Sequence, residues 1–227
     1  MQQQKDKTSM QFLYGDRELR IEIGDILTAE VDVIVNPAKG DLTHNNGLAA
    51  HILAAAGDEM LTQSMQLIQE YGGIESGMAV YTAAGHLPFE AIIHAVGPTM
   101  GEGDEQYKIE QAVSRSLLLC ETNDWHSIAF PAISVGSLNV PVETCAKAFF
   151  RSITHFWDAR QESAVEKIII RLVDTHFRPF FDAFREDAIN SPEIKKTATT
   201  SKEAVGYIDL DEEEVTAIDN DIADWFK

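Results

Sequence analysis

Three short segments of this 227-residue chain carry residue types that suit a polar ligand, and each follows a strand-like run. In Gly24-Asp25-Ile26 the Asp25 carboxylate can accept a hydrogen bond from an exocyclic amine such as that of adenine. Aspartate there equally suits the N-cap of a helix, and the residues alone leave both readings open. The second segment, Asn36 to Gly47, leads from a β-branched run into a helix-like stretch. Asn46 and Gly47 tolerate positive φ, which lets backbone N–H groups turn toward an anion. The third, Ser134-Val135-Gly136-Ser137-Leu138-Asn139-Val140-Pro141, makes the same strand-to-helix transition. Gly136 allows close backbone approach, and Pro141 suits the first turn of the next helix. Each loop alone matches an ordinary connection. Two of them in one α/β sheet would grip a diphosphate from both sides.

The remaining chemistry-bearing residues are less pointed. Of seven histidines, His94 sits inside EAIIHAVGP and reads as a core histidine, whereas His44 lies beside the second segment and could reach a ligand. Cys120 and Cys145 stand in apolar stretches and read as small buried hydrophobes on helices, with neither a disulfide framework nor a metal cluster. No H-E-x-x-H, G-x-S-x-G, Walker A or G-x-G-x-x-G pattern occurs. No catalytic residue, metal or cofactor is expected. The formal net charge of -19 argues against binding along nucleic acid, which needs a basic face. It leaves room for one small anion held by backbone N–H groups. The N-terminal MQQQKDKTSM lacks an apolar core, and no apolar run approaches the roughly 20 residues of a membrane span. The expectation is a protein of the cytoplasm or nucleus without a membrane partner.

These loops need a scaffold, and the hydrophobic pattern supplies one. Strand-like runs occur at 11–14, 18–23, 32–36, 78–83, 90–96, 127–133 and 166–173. Helix-like stretches occur at 47–71 (broken at Gly57), 106–123, 141–158 and 176–187. Such alternation predicts a three-layer α/β/α sandwich with a mixed, mostly parallel sheet. The domain is expected over 10–187, after a disordered 1–9 and before an acidic, disordered 188–227. Residues 201–227 hold nine acidic and two basic side chains. Within that tail, Ile208 and Leu210 stand two apart and acids follow. An extended segment would present both apolar side chains on one face. The pattern resembles a motif that adds a strand to small ubiquitin-like modifiers, and it also suits a plain acidic tail.

Four blocks, IEIGDILTAEVDVIVNPAK, LTHNNGLAAHILAAAG, AAGHLPFEAIIHAVGP and SIAFPAISVGSLNVP, resemble the macrodomain signatures in order and spacing over about residues 10–186. The H-x-x-G-L-A variant is similar to binding-type macrodomains of some poly-ADP-ribose polymerases. The resemblance implies an ADP-ribose cleft. Asp25 would accept from the adenine amine, with the Ile26 backbone beside it. Asn45, Asn46, Gly47 and Leu48 would lie along the diphosphate and distal ribose, and Ser134 to Leu138 would cover the other side. Asn36, Lys39 and Val173 complete the expected set.

Several positions depart from that family. Its N-A-A-N reads N-P-A-K, so Lys39 replaces an asparagine that contacts the distal ribose. Val173 and Leu138 replace aromatics, removing contacts worth about 1–3 kcal/mol each by analogy with base stacking. Lys39 either restores part of this as a charge on phosphate or forms a solvated pair with Asp41. The hydrolases of the family pair the N-A-A-N asparagine with an aspartate, whose position here is Ala49. The first expectation is therefore a module that binds ADP-ribose or ADP-ribosylated protein. The alternatives are an ADP-ribosyl hydrolase, and a degenerate macrodomain that serves a protein partner without nucleotide.

Overall fold

The protein is described by a computed structural model over residues 9–190. The tail motif around Ile208 and Leu210 lies outside the described residues. Seven strands form one sheet: β1 (Ser9–Tyr14), β2 (Arg17–Ile23), β3 (Val33–Ala38), β4 (Ala79–Thr82), β5 (Ala91–Val96), β6 (Ser127–Pro131) and β7 (Lys167–Leu172). Their order is β1-β2-β7-β6-β3-β5-β4. The five central strands run parallel, and β1 and β4 pair antiparallel at the edges. The helices are α1 (Gly47–Ala56), α2 (Asp58–Tyr71), α3 (Glu105–Thr122), α4 (Val142–Ala159) and α5 (Asp174–Asn190).

The sandwich follows from strands that are apolar on both faces, as a covered parallel sheet requires. In β7, Ile168, Ile170 and Leu172 join a large core with Phe149, Trp157, Phe180 and Phe184 of α4 and α5. Ile169 points the other way, into a smaller core with Ile34, Ile52, Ala56 and Met60 beneath α1 and α2. The period of two thus divides one strand between two layers. Cys120 and Cys145 are buried on α3 and α4, and burial pushes both thiols far above their usual range.

α5 continues past the expected boundary at 187 to Asn190, and Ala188 is fully buried. Pro141 caps α4 in an extended conformation, so the first helical residue is Val142. The register of β3 opens the molecule where it matters. Pairing with β5 runs from Val33 to Ala38, while pairing with β6 stops at Ile34. The chain leaves β3 toward β5 on one side and leaves β6 toward β7 on the other. The carboxyl ends of β3 and β6 therefore diverge at a topological switch point, where open α/β sheets hold their ligands.

Candidate ligand-binding cleft

A cleft of about 410 Å³ lies at this divergence. Pro37 and Ala38 end β3 there, Pro131 and Ala132 leave β6, and Leu172 and Val173 leave β7. The segments expected to grip a ligand face each other across it. Lys39, Asn45, Asn46, Gly47 and Leu48 form one wall; Ser134, Gly136, Ser137 and Leu138 form the other, with Val173 nearby. Four of the six non-glycine residues with positive φ among the described residues, Leu42, His44, Ser134 and Asn139, lie in these two loops. Backbone conformations of that kind cost energy and collect at functional sites. Gly47 has φ 54°, whereas Asn46 is extended at φ -152° and does not use the left-handed freedom expected of it.

Asn46 caps α1 without a side-chain hydrogen bond to the first turn. The opening N–H groups of a ten-residue helix are thus turned to the cleft with their dipole, a ready anion site. Across the cleft, a Cβ built on Gly136 meets nothing within 4 Å, so the space above it is open to a ligand. Gly97, at the end of β5, shows the reverse. A Cβ there would stand 2.1 Å from Ser134 Oγ and 2.6 Å from Ile133 Cγ2, so glycine is what lets the second loop settle.

Four expected residues stand outside the cleft lining among the described residues. Ile26 is buried in the smaller core, and Val135 packs against the larger one. Asp25 fulfils its capping role: Oδ1 accepts from Leu27 N at 3.0 Å, and Oδ2 lies 3.4 Å from His51 Nε2. Its side chain is still 47% exposed at the carboxyl edge of β2, so capping and ligand contact are compatible. Asn36 lies beneath the cleft and is fully buried. Its Nδ2 donates to the Nδ1 atoms of His44 and His94, both at 3.0 Å.

That arrangement sets the tautomers. Each ring carries its proton on Nε2, which His44 directs to Ser64 Oγ and His94 to Thr82 Oγ1, both at 3.0 Å. The rings stack with centroids 4.8 Å apart. Burial lowers the His44 pKa to about 4, opposed by the charge of Asp41. Burial, with the charge of His44 second, lowers His94 to about 3. Both rings are therefore neutral at pH 7. His94 is the core histidine the sequence suggests. His44 does line the cleft, but both ring nitrogens are engaged, so it anchors the loop instead of presenting a free base.

Asp41 does not pair with Lys39. Its Oδ1 accepts from Thr43 N at 3.2 Å and Thr43 Oγ1 at 3.0 Å. Ala49 lines the cleft with no functional group, and no carboxylate occurs among the described lining residues. Nor do the described residues contain a His, Cys, Asp and Glu cluster that could hold a metal. Two titratable lining residues escaped the sequence reading. His176 opens onto the cleft from the first turns of α5. Arg171, the last residue but one of β7, lies on the Ile169 face and is ion-paired with Glu22, Nε to Oε1 at 2.9 Å, both side chains more than nine-tenths buried. Its signal was a lone charge inside the apolar run KIIIRLV. A charge there must find a partner or a ligand.

Known proteins share this architecture and sequence. The Macro domain family model matches residues 35–149. An O-acetyl-ADP-ribose deacetylase of Klebsiella pneumoniae is 43% identical over 136 residues, covering 59% of this chain and 78% of the relative. An uncharacterized protein of Thermotoga maritima is 35% identical over 171 residues, covering 74% of this chain and 28% of that one. Among solved structures, the Oceanobacillus iheyensis macrodomain with ADP superposes with a TM-score of 0.76 at 25% identity, covering 82% of this chain and all of that one. A mutant of that macrodomain with ADPR gives 0.74 at 27% identity, over 81% of this chain. With its sheet order, its two opposed loops and this match over half of its length, the chain belongs to the Macro domain family.

Proposed function

We propose that this chain is a binding module that holds ADP-ribose, free or attached to protein, in the cleft between β3 and β6. One observation carries the reading: a chain with net charge -19 keeps carboxylates out of the described cleft lining, while placing there Lys39, Arg171 and the uncapped N-terminus of α1. An anionic diphosphate suits that local field, and backbone N–H groups of the two loops hold it without a dedicated cation. Asp25, at the carboxyl edge beside the 3-10 turn Ile26–Thr28, accepts from the adenine amine. The structural neighbours solved with ADP and ADPR support the ligand class.

A hydrolytic reading draws on the relatives named O-acetyl-ADP-ribose deacetylase. General-base catalysis needs a carboxylate or imidazole within hydrogen-bond reach of the attacking water. With Ala49 in the cleft and His44 engaged at both nitrogens, binding without efficient turnover is the better account. Calorimetric titration with ADP-ribose separates the readings when paired with an assay on O-acetyl-ADP-ribose and on mono-ADP-ribosylated protein. Binding by wild type, about tenfold weaker in Asp25→Ala, with product release near background, is expected. Release at rates typical of an enzyme would refute the binding-only reading, and no binding at all would refute both.

A second, independent contact belongs to the tail, on sequence grounds alone: Ile208 and Leu210 would add a strand to a small ubiquitin-like modifier. NMR titration with the modifier tests it. Binding that survives Ile208→Ala combined with Leu210→Ala would rule this segment out.

A further inference from the structure

The cleft wall contains a cation that adds to the local field but has no ligand contact of its own in the binding mode just described. Arg171 is 7% exposed and lines the cleft, yet its interaction among the described residues is the ion pair with Glu22. Even that contact lacks the alignment of a hydrogen bond, since Arg171 Nε and Glu22 Oε1 are both buried without a hydrogen-bonding partner. A buried guanidinium with unspent N–H donors is costly to keep. The fold nevertheless makes room for it. A Cβ on Gly24 would stand 2.2 Å from Arg171 Nη1, so only glycine at 24 lets the guanidinium lie where it does. Gly24 N in turn donates to Leu172 O at 3.1 Å, which ties this residue to the end of β7. The next residue is Asp25, whose carboxylate is half-exposed. The chain thus sets an under-used donor of the cleft lining against Gly24, the residue just before a half-exposed acceptor.

We infer that Arg171 is a specificity-determining residue for the base, and that Asp25 and Arg171 together read the edge of a 6-aminopurine. The inference rests on the ADP-ribose reading and deepens it. Adenine presents an exocyclic amine, a donor, next to a ring nitrogen, an acceptor. Asp25 takes the first and an Arg171 terminal N–H donates to the second. A 6-oxopurine turns a carbonyl oxygen toward the Asp25 carboxylate and loses that pairing. Glu22 holds the guanidinium in place, since one charge left alone at this depth would be strongly destabilising.

The test uses ligand and protein variants together. Wild type is titrated with ADP, its 1-deaza and 7-deaza analogues, and inosine diphosphate. Glu22→Leu combined with Arg171→Met, which replaces the pair with apolar side chains of similar size, is titrated with ADP and inosine diphosphate. One deaza analogue is expected to bind wild type about tenfold more weakly than ADP. In the double variant, ADP affinity falls by a similar factor and its preference over inosine diphosphate shrinks. Equal binding of ADP and both deaza analogues by wild type overturns the inference even if the double variant fails to fold. A folded double variant with unchanged affinity and preference overturns it as well. Wild type that binds no adenine nucleotide overturns the functional reading itself, and the inference with it.

Discussion

The two walls of the cleft are held by different physics. The wall of residues 37–47 rests on a buried, neutral cluster in which Asn36 bridges His44 and His94, while Ser64 and Thr82 take the outer ring nitrogens. The wall of residues 134–140 has no such cluster among the described contacts. It is shaped by main-chain bonds, Val140 N to Ser134 O at 3.0 Å and Met100 N to Leu138 O at 2.9 Å, and by the close approach that Gly97 permits. One wall is therefore fixed by side-chain chemistry that titrates, and the other by backbone geometry that does not. Substitutions and pH should separate them.

The largest effect falls on the first wall. Both histidine pKa values are depressed on folding, to about 4 and about 3 from 6.5. The unfolded chain therefore takes up protons that the folded chain refuses as pH drops below 6.5. The stability from this cluster is complete above that value and declines toward pH 4, by up to about 2.7 kcal/mol per pH unit for two protons. Urea denaturation between pH 7 and pH 4.5 measures it; a midpoint that stays constant would show that the rings are not held neutral. Next comes Asn36→Leu, which orphans two buried ring nitrogens and is expected to cost about 3 kcal/mol in the same assay at pH 7. A loss below about 1 kcal/mol would mean that the bridge is not what anchors this wall.

Gly136→Val tests the second wall. Its side chain enters open space, so the variant should fold like wild type and lose at least tenfold in ADP-ribose affinity, about 1.4 kcal/mol, because it fills the volume the diphosphate needs. A folded variant of unchanged affinity would move the diphosphate elsewhere. Lys39→Ala should have the smallest effect. Lys39 is exposed on the rim, and Asp41 is committed to Thr43. Its charge is largely screened, so binding should weaken about two- to fivefold, with added salt mimicking the loss. Salt-independent binding in both proteins would remove Lys39 from the site.

The two walls were also unequally legible in the sequence. The β-branched runs and the break at Gly57 announced the strands and helices, because a period of two and a period of 3.6 leave clear traces in hydrophobic residues. The second loop was readable from Gly136 and the strand before it, since its structure is local. The first was readable only in part. Nothing in the local sequence says that Asn36 faces His94, 58 positions away, across paired strands. Asn36 was read as a ligand contact, and the structure spends its amide nitrogen on the two histidines beneath the cleft. Arg171 was missed for the same reason, because its partner Glu22 is a neighbour only through the β2–β7 pairing. Pairings between distant strands decide which polar residues are satisfied, and satisfaction decides which remain available to a ligand.

The most direct test of the central claim is an NMR titration of the full chain with ADP-ribose, following assigned backbone amides. Gly47 and Leu48 on one wall and Gly136 and Ser137 on the other are expected to shift together, at a single saturating site. Shifts confined to another surface, such as the groove lined by Tyr14, Arg17 and Trp157, would contradict it, as would amides that do not respond at all.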